Sequence, residues 1–270
     1  MRIQIPEFAT KEELFDYLRK NHDAIIKEKK SLQLEGILHK TSLGAAAKSY
    51  PIQQVLDTTL PPDTIRLKTV MNTTMVMDSH MDVHDNGLWN KSLSDNPFFY
   101  HLQEHKAQFD HVIDNRAKAY VQTMTWKDLG IDAQGTTEAL VFESTLTKDK
   151  NPQMYQEYKS LNVNNHSVGM RYIKLLFAMD STDPQDAQYK ENYDNYVSKM
   201  LNPDEAKSRG YFWIVKEAAL SEGSAVLMGS NVITPTLQIF TPSIQPDLST
   251  GKSEPDYSEL KEVLQSIKFK

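Results

Sequence analysis

Three groups of side chains in this sequence are able to do hydrolytic chemistry. The first is Ser167, in the run NNHSVGMRYI (164–173), with Gly169 two places on. A serine hydroxyl attacks a carbonyl only when a base within hydrogen-bond reach takes its proton and a third group holds that base in the right tautomer. The second group is YHLQEHKAQFDHVIDN (100–115). Here His101, Gln103 and His105 alternate and would share one face of a strand, with His111 after a turn. The third is DSHMDVHDN (78–86), where His80 and His84 are four apart among Asp78, Asp82 and Asp85. On a helix that spacing puts two imidazoles on one face, as in some zinc sites. The composition of this run is that of turns, and it points to a polar loop.

His166 adjoins Ser167, but neighbours on a strand point to opposite faces, so it is not the expected base. His105, on another strand, is the one expected to reach the serine, and Gly169 leaves open backbone beside it. The residues alone read first as the ordinary start of a buried strand; the nucleophile is the second reading.

The elements that must position these groups follow from pattern. Residues 9–30 predict a helix, with Thr10 and Glu13 as a capping box and Leu14, Leu18, Ile25 and Ile26 as its apolar stripe. A linker is expected at LPPDT (60–64), leaving residues 1–60 as an N-terminal helical extension. From there the chain turns strand-like, at 64–77, 98–105, 118–126, 137–146, 167–179, 211–220 and 224–229. Several of these alternate apolar and polar residues, as half-buried antiparallel strands do. A short helix is expected at 151–161 and a helical excursion at 181–210. The core is expected to span 61–231, followed by a loose tail, 232–270, with a last helix at 256–267. The class is therefore α+β, with a β-rich, mostly antiparallel core and peripheral helices.

Composition excludes several functions. The chain of 270 residues has no cysteine, so thiolate catalysis, disulfides and cysteine-ligated zinc are out. A net charge of −6 argues against a nucleic-acid coat. The opening MRIQIPEFATKEELF has no apolar signal-peptide region, and no stretch approaches the apolar length of a membrane span. The expected compartment is the cytoplasm.

Taken in order, the segments resemble the prohead maturation proteases of tailed bacteriophages, a family similar in fold to the herpesvirus assemblins. The likeness runs over about 66–231. MDSHMDVHDNGLWNKSLSDN is similar to the family's early segment, and FFYHLQEHKAQFDHVIDN to the strand that ends in its catalytic histidine. MYQEYKSLNVNNHSVGMRY resembles the helix, turn and strand carrying the nucleophilic serine. VKEAALSEGSAVLMGSN looks like the strand with the pattern Glu-hydrophobic-Ser. The resemblance implies a barrel-like core and the roles of His105 as base, Ser167 as nucleophile and Glu222 as third member. His101 competes for the base and Glu217 for the third place. The chain departs from the family pattern at Lys106, Asp114 and Gly223.

What the resemblance implies of function is a serine endopeptidase without cofactor or metal. Its substrates would be the phage scaffold, the scaffolding segment of the major capsid protein, and itself, inside the assembling prohead in the host cytoplasm. Homodimerisation is left open, and no nucleic acid or membrane is expected as partner. SYPIQQVLDTTLPPD (49–63) and TPSIQPDLSTGKSEPD (241–256) are the expected self-cleavage regions. Arg171 is a candidate to assist through a water, against a plain reading as a solvated charge. Two rivals stand beside this: an inactive, structural component of capsid assembly with the same fold, and a metal-dependent hydrolase using His80, Asp82 and His84 with or without His105.

Overall fold

The structure, a computed structural model, describes residues 5–31 and 50–242. Its centre is one sheet of nine strands: β1 (Gln53–Leu56), β2 (Thr64–Thr73), β3 (Asp82–His84), β4 (Phe98–Gln103), β5 (Val112–Thr125), β6 (Thr136–Thr147), β7 (His166–Met179), β8 (Tyr211–Ala225) and β9 (Thr236–Thr241). The order is β1-β9-β2-β6-β5-β4-β8-β3, with β7 also paired to β8. Helices α1 (Lys11–Ser31), α2 (Asn90–Asp95), α3 (Pro152–Lys159), α4 (Ala187–Val197) and α5 (Pro203–Arg209) surround it.

The α+β class is as expected, but the core is not a barrel. The sheet is mixed and does not close on itself. The β2–β6–β5–β4 segment is antiparallel, whereas β1–β9, β3–β8 and β4–β8 are parallel. The pivot is β8. Along one edge it takes β3 and then β4 in parallel; along the other it takes β7, antiparallel, over nearly its whole length. Alternating polarity reports which face is buried and says nothing of a neighbour's direction.

Helix α1 forms where the sequence predicts it. Thr10 Oγ1 accepts from the Glu13 amide at 3.2 Å, and the Glu13 carboxylate reaches back to the Ala9 amide at 3.1 Å. The helix is no appendage. Leu18 and Ile25 are buried in the same apolar core as Val168, Tyr172, Phe177 and Trp213. Arg19 forks onto both oxygens of Asp186, each at 2.8 Å. The packed unit thus passes the boundary expected at residue 60. It passes the one at 231 too, because β9 lies between β1 and β2. The predicted helix at 256–267 lies outside the described residues.

Beside β7 a line of buried side chains has only one consistent hydrogen-bond direction. The His166 ring donates from Nδ1 to the Thr234 carbonyl at 2.8 Å, so its Nε2 accepts from Tyr158 Oη at 3.1 Å. Tyr158 Oη then accepts from His101 Nε2 at 3.3 Å, and His101 Nδ1 accepts from Ser144 Oγ at 2.9 Å. Every polar atom in the row is matched only while both imidazoles are neutral. Burial keeps them so: it lowers the pKa of His166 to about 4 and that of His101 well below the usual histidine value.

A group whose folded pKa is depressed stabilises the fold above its unfolded pKa and loses that contribution as pH falls. His84 is shifted the same way by burial, while His80 is shifted upward and opposes. Unfolding in urea should therefore show stability falling by roughly 1–3 kcal/mol per unit between about pH 6.5 and 4.5. A profile flat over that window would contradict the neutral histidine row.

Candidate active site

The strand pair β7–β8 puts Ser167 and Glu222, 55 positions apart in the chain, on one face of the sheet. Ser167 lies directly opposite Ser224, and Gly169 directly opposite Glu222. Residues two apart share a face, so Ser167, Glu222 and Ser224 all look the same way. Between Leu220 and Glu222 the register slips by one residue, at Ser221. Such a bulge re-aims the side chains that follow it.

Gly169 is needed here. A Cβ on it would sit 2.3 Å from Glu222 Oε1, so the carboxylate lies where any other side chain would be. Glu222 lies flat across the β7 backbone instead of standing off it.

His105 arrives from β4, which runs parallel to β8 with Leu102 opposite Ser224 and Gln103 opposite Ala225. The strand stops at Gln103, and the next two residues adopt positive φ, 52° at Glu104 and 57° at His105. The Lys106 amide closes the turn onto the Gln103 carbonyl at 3.1 Å. Two consecutive non-glycine residues with positive φ are strained, and such conformations persist where the surroundings over-determine them. Three bonds do so here. The Glu104 amide donates to the Ala225 carbonyl at 2.9 Å, and the His105 amide to Ser224 Oγ at 3.1 Å. His105 Nδ1 donates to Glu222 Oε1 at 2.6 Å. The expectation that His101, Gln103 and His105 share a strand face therefore fails, because His105 is beyond the strand end.

Ser224 is the residue that sequence reasoning missed. Its hydroxyl donates to Glu222 Oε2 at 2.6 Å while accepting from the His105 amide. It holds the carboxylate and the backbone of the histidine at once. The signal was present, in a serine two places after the glutamate and therefore on its face. With Nδ1 donating to Glu222, the neutral tautomer of His105 is the one with its lone pair on Nε2, which is the tautomer a general base needs. Both side chains are largely shielded from water, at 7% and 10% exposure.

The competing assignments go elsewhere. His101 is buried in the row with Ser144 and Tyr158. Glu217 stands opposite Lys174, five residues up the strand from Glu222. Arg171 is exposed, opposite Ala219. His166 points to the Tyr158 side, as strand alternation predicts.

The Asp/His run is partly a turn and partly β3. Asp78 Oδ1 accepts from the amides of His80 at 2.8 Å and Asp82 at 3.0 Å. Trp89 Nε1 donates to Asn72 Oδ1, so the Asn72 amide nitrogen donates to His84 Nδ1 at 2.7 Å. His84, kept neutral by burial, therefore carries its proton on Nε2 and is a donor, which removes it as a metal ligand. Asp78, His80 and Asp82 do come together, with ligand-capable atoms within 4.8 Å of one another. His80, His84 and Asp78 also line, with Ser167, Ser230 and Asn231, a cavity of about 20 Å³, room for one water.

The chain matches no protein-family model, no curated protein and no solved structure. The site's geometry therefore stands without a relative beside it.

Gly169→Ala should fold, since its clash is with a carboxylate end, at a cost of about 1–3 kcal/mol. It should separate Glu222 from His105. Proton NMR should show a strongly downfield imidazole Nδ1–H in the native chain, absent from Gly169→Ala and Glu222→Gln. Its persistence in Gly169→Ala would mean that the carboxylate can move aside and keep its partner.

Proposed function

We propose that the protein is a serine endopeptidase in which Ser167 is the nucleophile, His105 the base and Glu222 the group that orients it. One observation carries the reading: the 2.6 Å bond from His105 Nδ1 to a Glu222 carboxylate that shares a strand face with Ser167. A structural ion pair would not need two left-handed residues, a strand bulge and a glycine cleared for the carboxylate.

In the proposed reaction Ser167 Oγ attacks a peptide carbonyl as His105 Nε2 takes its proton. The imidazolium that forms is stabilised by Glu222, whose second oxygen is held by Ser224. The proton then passes to the leaving amine; water next attacks the acyl group as His105 takes its proton, and that proton returns to Ser167 Oγ as the acid is released. The substrate class follows from the resemblance to prohead maturation proteases. The expected substrates are scaffold and capsid scaffolding segments of a tailed phage, and the chain itself, within the assembling prohead. An extended peptide suits a site set on strands, where it can lie alongside as a further strand.

The test is intact mass of the purified chain after incubation, alone and with a scaffold substrate. Wild type should trim itself in the presence of EDTA, while Ser167→Ala and His105→Ala stay whole. Glu222→Ala should turn over roughly 10³–10⁴-fold more slowly. Ser224→Ala should lose about 10- to 100-fold, as for one charge-assisted hydrogen bond. If wild type remains at full mass with substrate, the reading of a structural, inactive protein takes its place.

A further inference from the structure

Lys29 is the last buried residue of α1, four places after Ile25 on the helix's apolar stripe. A lysine there must bury an ammonium group, which is costly without a partner. Its side chain is 7% exposed, and Nζ lies 2.7 Å from Asp82 Oδ1 and 3.4 Å from the His80 carbonyl. The rings of Tyr172 and Trp213 flank it at 5.8 and 5.7 Å. Tyr172 Oη donates to the other Asp82 oxygen. The ammonium thus occupies a pocket built of a carboxylate, a carbonyl and two aromatic faces.

Behind Asp82 stand two more groups able to bind a cation. Asp78 is 3% exposed, and its carboxyl is held down to about pKa 2: burial pushes it up, but His80 and the Asp82 amide outweigh that. The His80 side chain is 7% exposed, and its Nε2 has no hydrogen-bond partner among the described residues. The ring faces Asp78 through Nδ1, 3.8 Å from Oδ2, and a buried imidazole with Nε2 unpartnered is a costly arrangement for packing alone. Two carboxylates and one imidazole are a ligand set for a divalent ion such as Zn²⁺ or Mn²⁺.

We propose that Asp78, His80 and Asp82 form a divalent-cation site that the Lys29 ammonium keeps closed, so that withdrawal of α1 exchanges a side-chain cation for a metal ion. The inference does not depend on Ser167 being a nucleophile. It does connect the two regions, since Tyr172, which bonds Asp82, lies five residues along β7 from Ser167.

The probe is Zn²⁺, titrated by calorimetry and by thermal unfolding into full-length Ser167→Ala protein, in which self-cleavage is not expected, and into the same protein with Lys29→Met. The Lys29→Met chain should bind one Zn²⁺ at least ~10-fold more tightly than its parent, with its unfolding temperature raised accordingly. If Lys29→Met does not fold alone, Zn²⁺ should restore its circular dichroism spectrum. Adding His80→Ala should abolish either effect. The proposal is overturned if Zn²⁺ acts equally on both chains, if it fails to bind or rescue Lys29→Met, or if the effect survives His80→Ala, which marks an adventitious ion only.

Discussion

The candidate site depends on the absence of one side chain. Glu222 can lie across β7 only because residue 169 has no Cβ, and from that position each of its oxygens takes one donor. One comes from the imidazole of His105, the other from the hydroxyl of Ser224. Ser224 in turn fixes the amide of His105. Three residues from one strand and a turn are thus joined in a closed ring of hydrogen bonds. The turn at 104–105 is strained, and this ring, with the Glu104–Ala225 bond, is what keeps it there.

The same sheet makes the surroundings rigid. β8 is bonded along both edges, so Glu222 and Ser224 sit on a strand that cannot fray sideways. His166, next to Ser167, is anchored on its ring and backbone by Thr234 and Tyr158. Nucleophile candidate and orienting carboxylate are therefore held by elements whose geometry does not depend on a mobile loop.

Much of this was legible in the chain. Strand and helix positions follow from periodicity, and the capping box of α1 forms from the residues that predict it. Ser167, His105 and Glu222 could be nominated from the order of motifs. Other features were not legible, for physical reasons. Strand direction leaves no mark in alternation, so the parallel joins of β8 to β3 and β4, and with them the open sheet, could not be read. The end of β4 at Gln103 is set by tertiary bonds from Ser224 and Glu222, not by any turn former at Glu104 or His105. The docking of α1 was hinted at by its stripe, but Lys29 reads as a solvated charge until Asp82 is placed against it. His84 could be taken for a metal ligand because its tautomer is fixed by Asn72 and Trp89, residues remote from the motif.

The connectivity of β8 also bears on when the site can exist at all. Its partners β3, β4 and β7 are all synthesised before it, and each must wait for residues 211–225 to find its place. Parallel joins across more than a hundred residues close late and slowly. Until residues 211–225 have been made, neither Glu222 nor Ser224 is present to hold the turn at 104–105. The hydrogen-bonded ring of His105, Glu222 and Ser224 closes in one step, when β8 takes its place between β4 and β7.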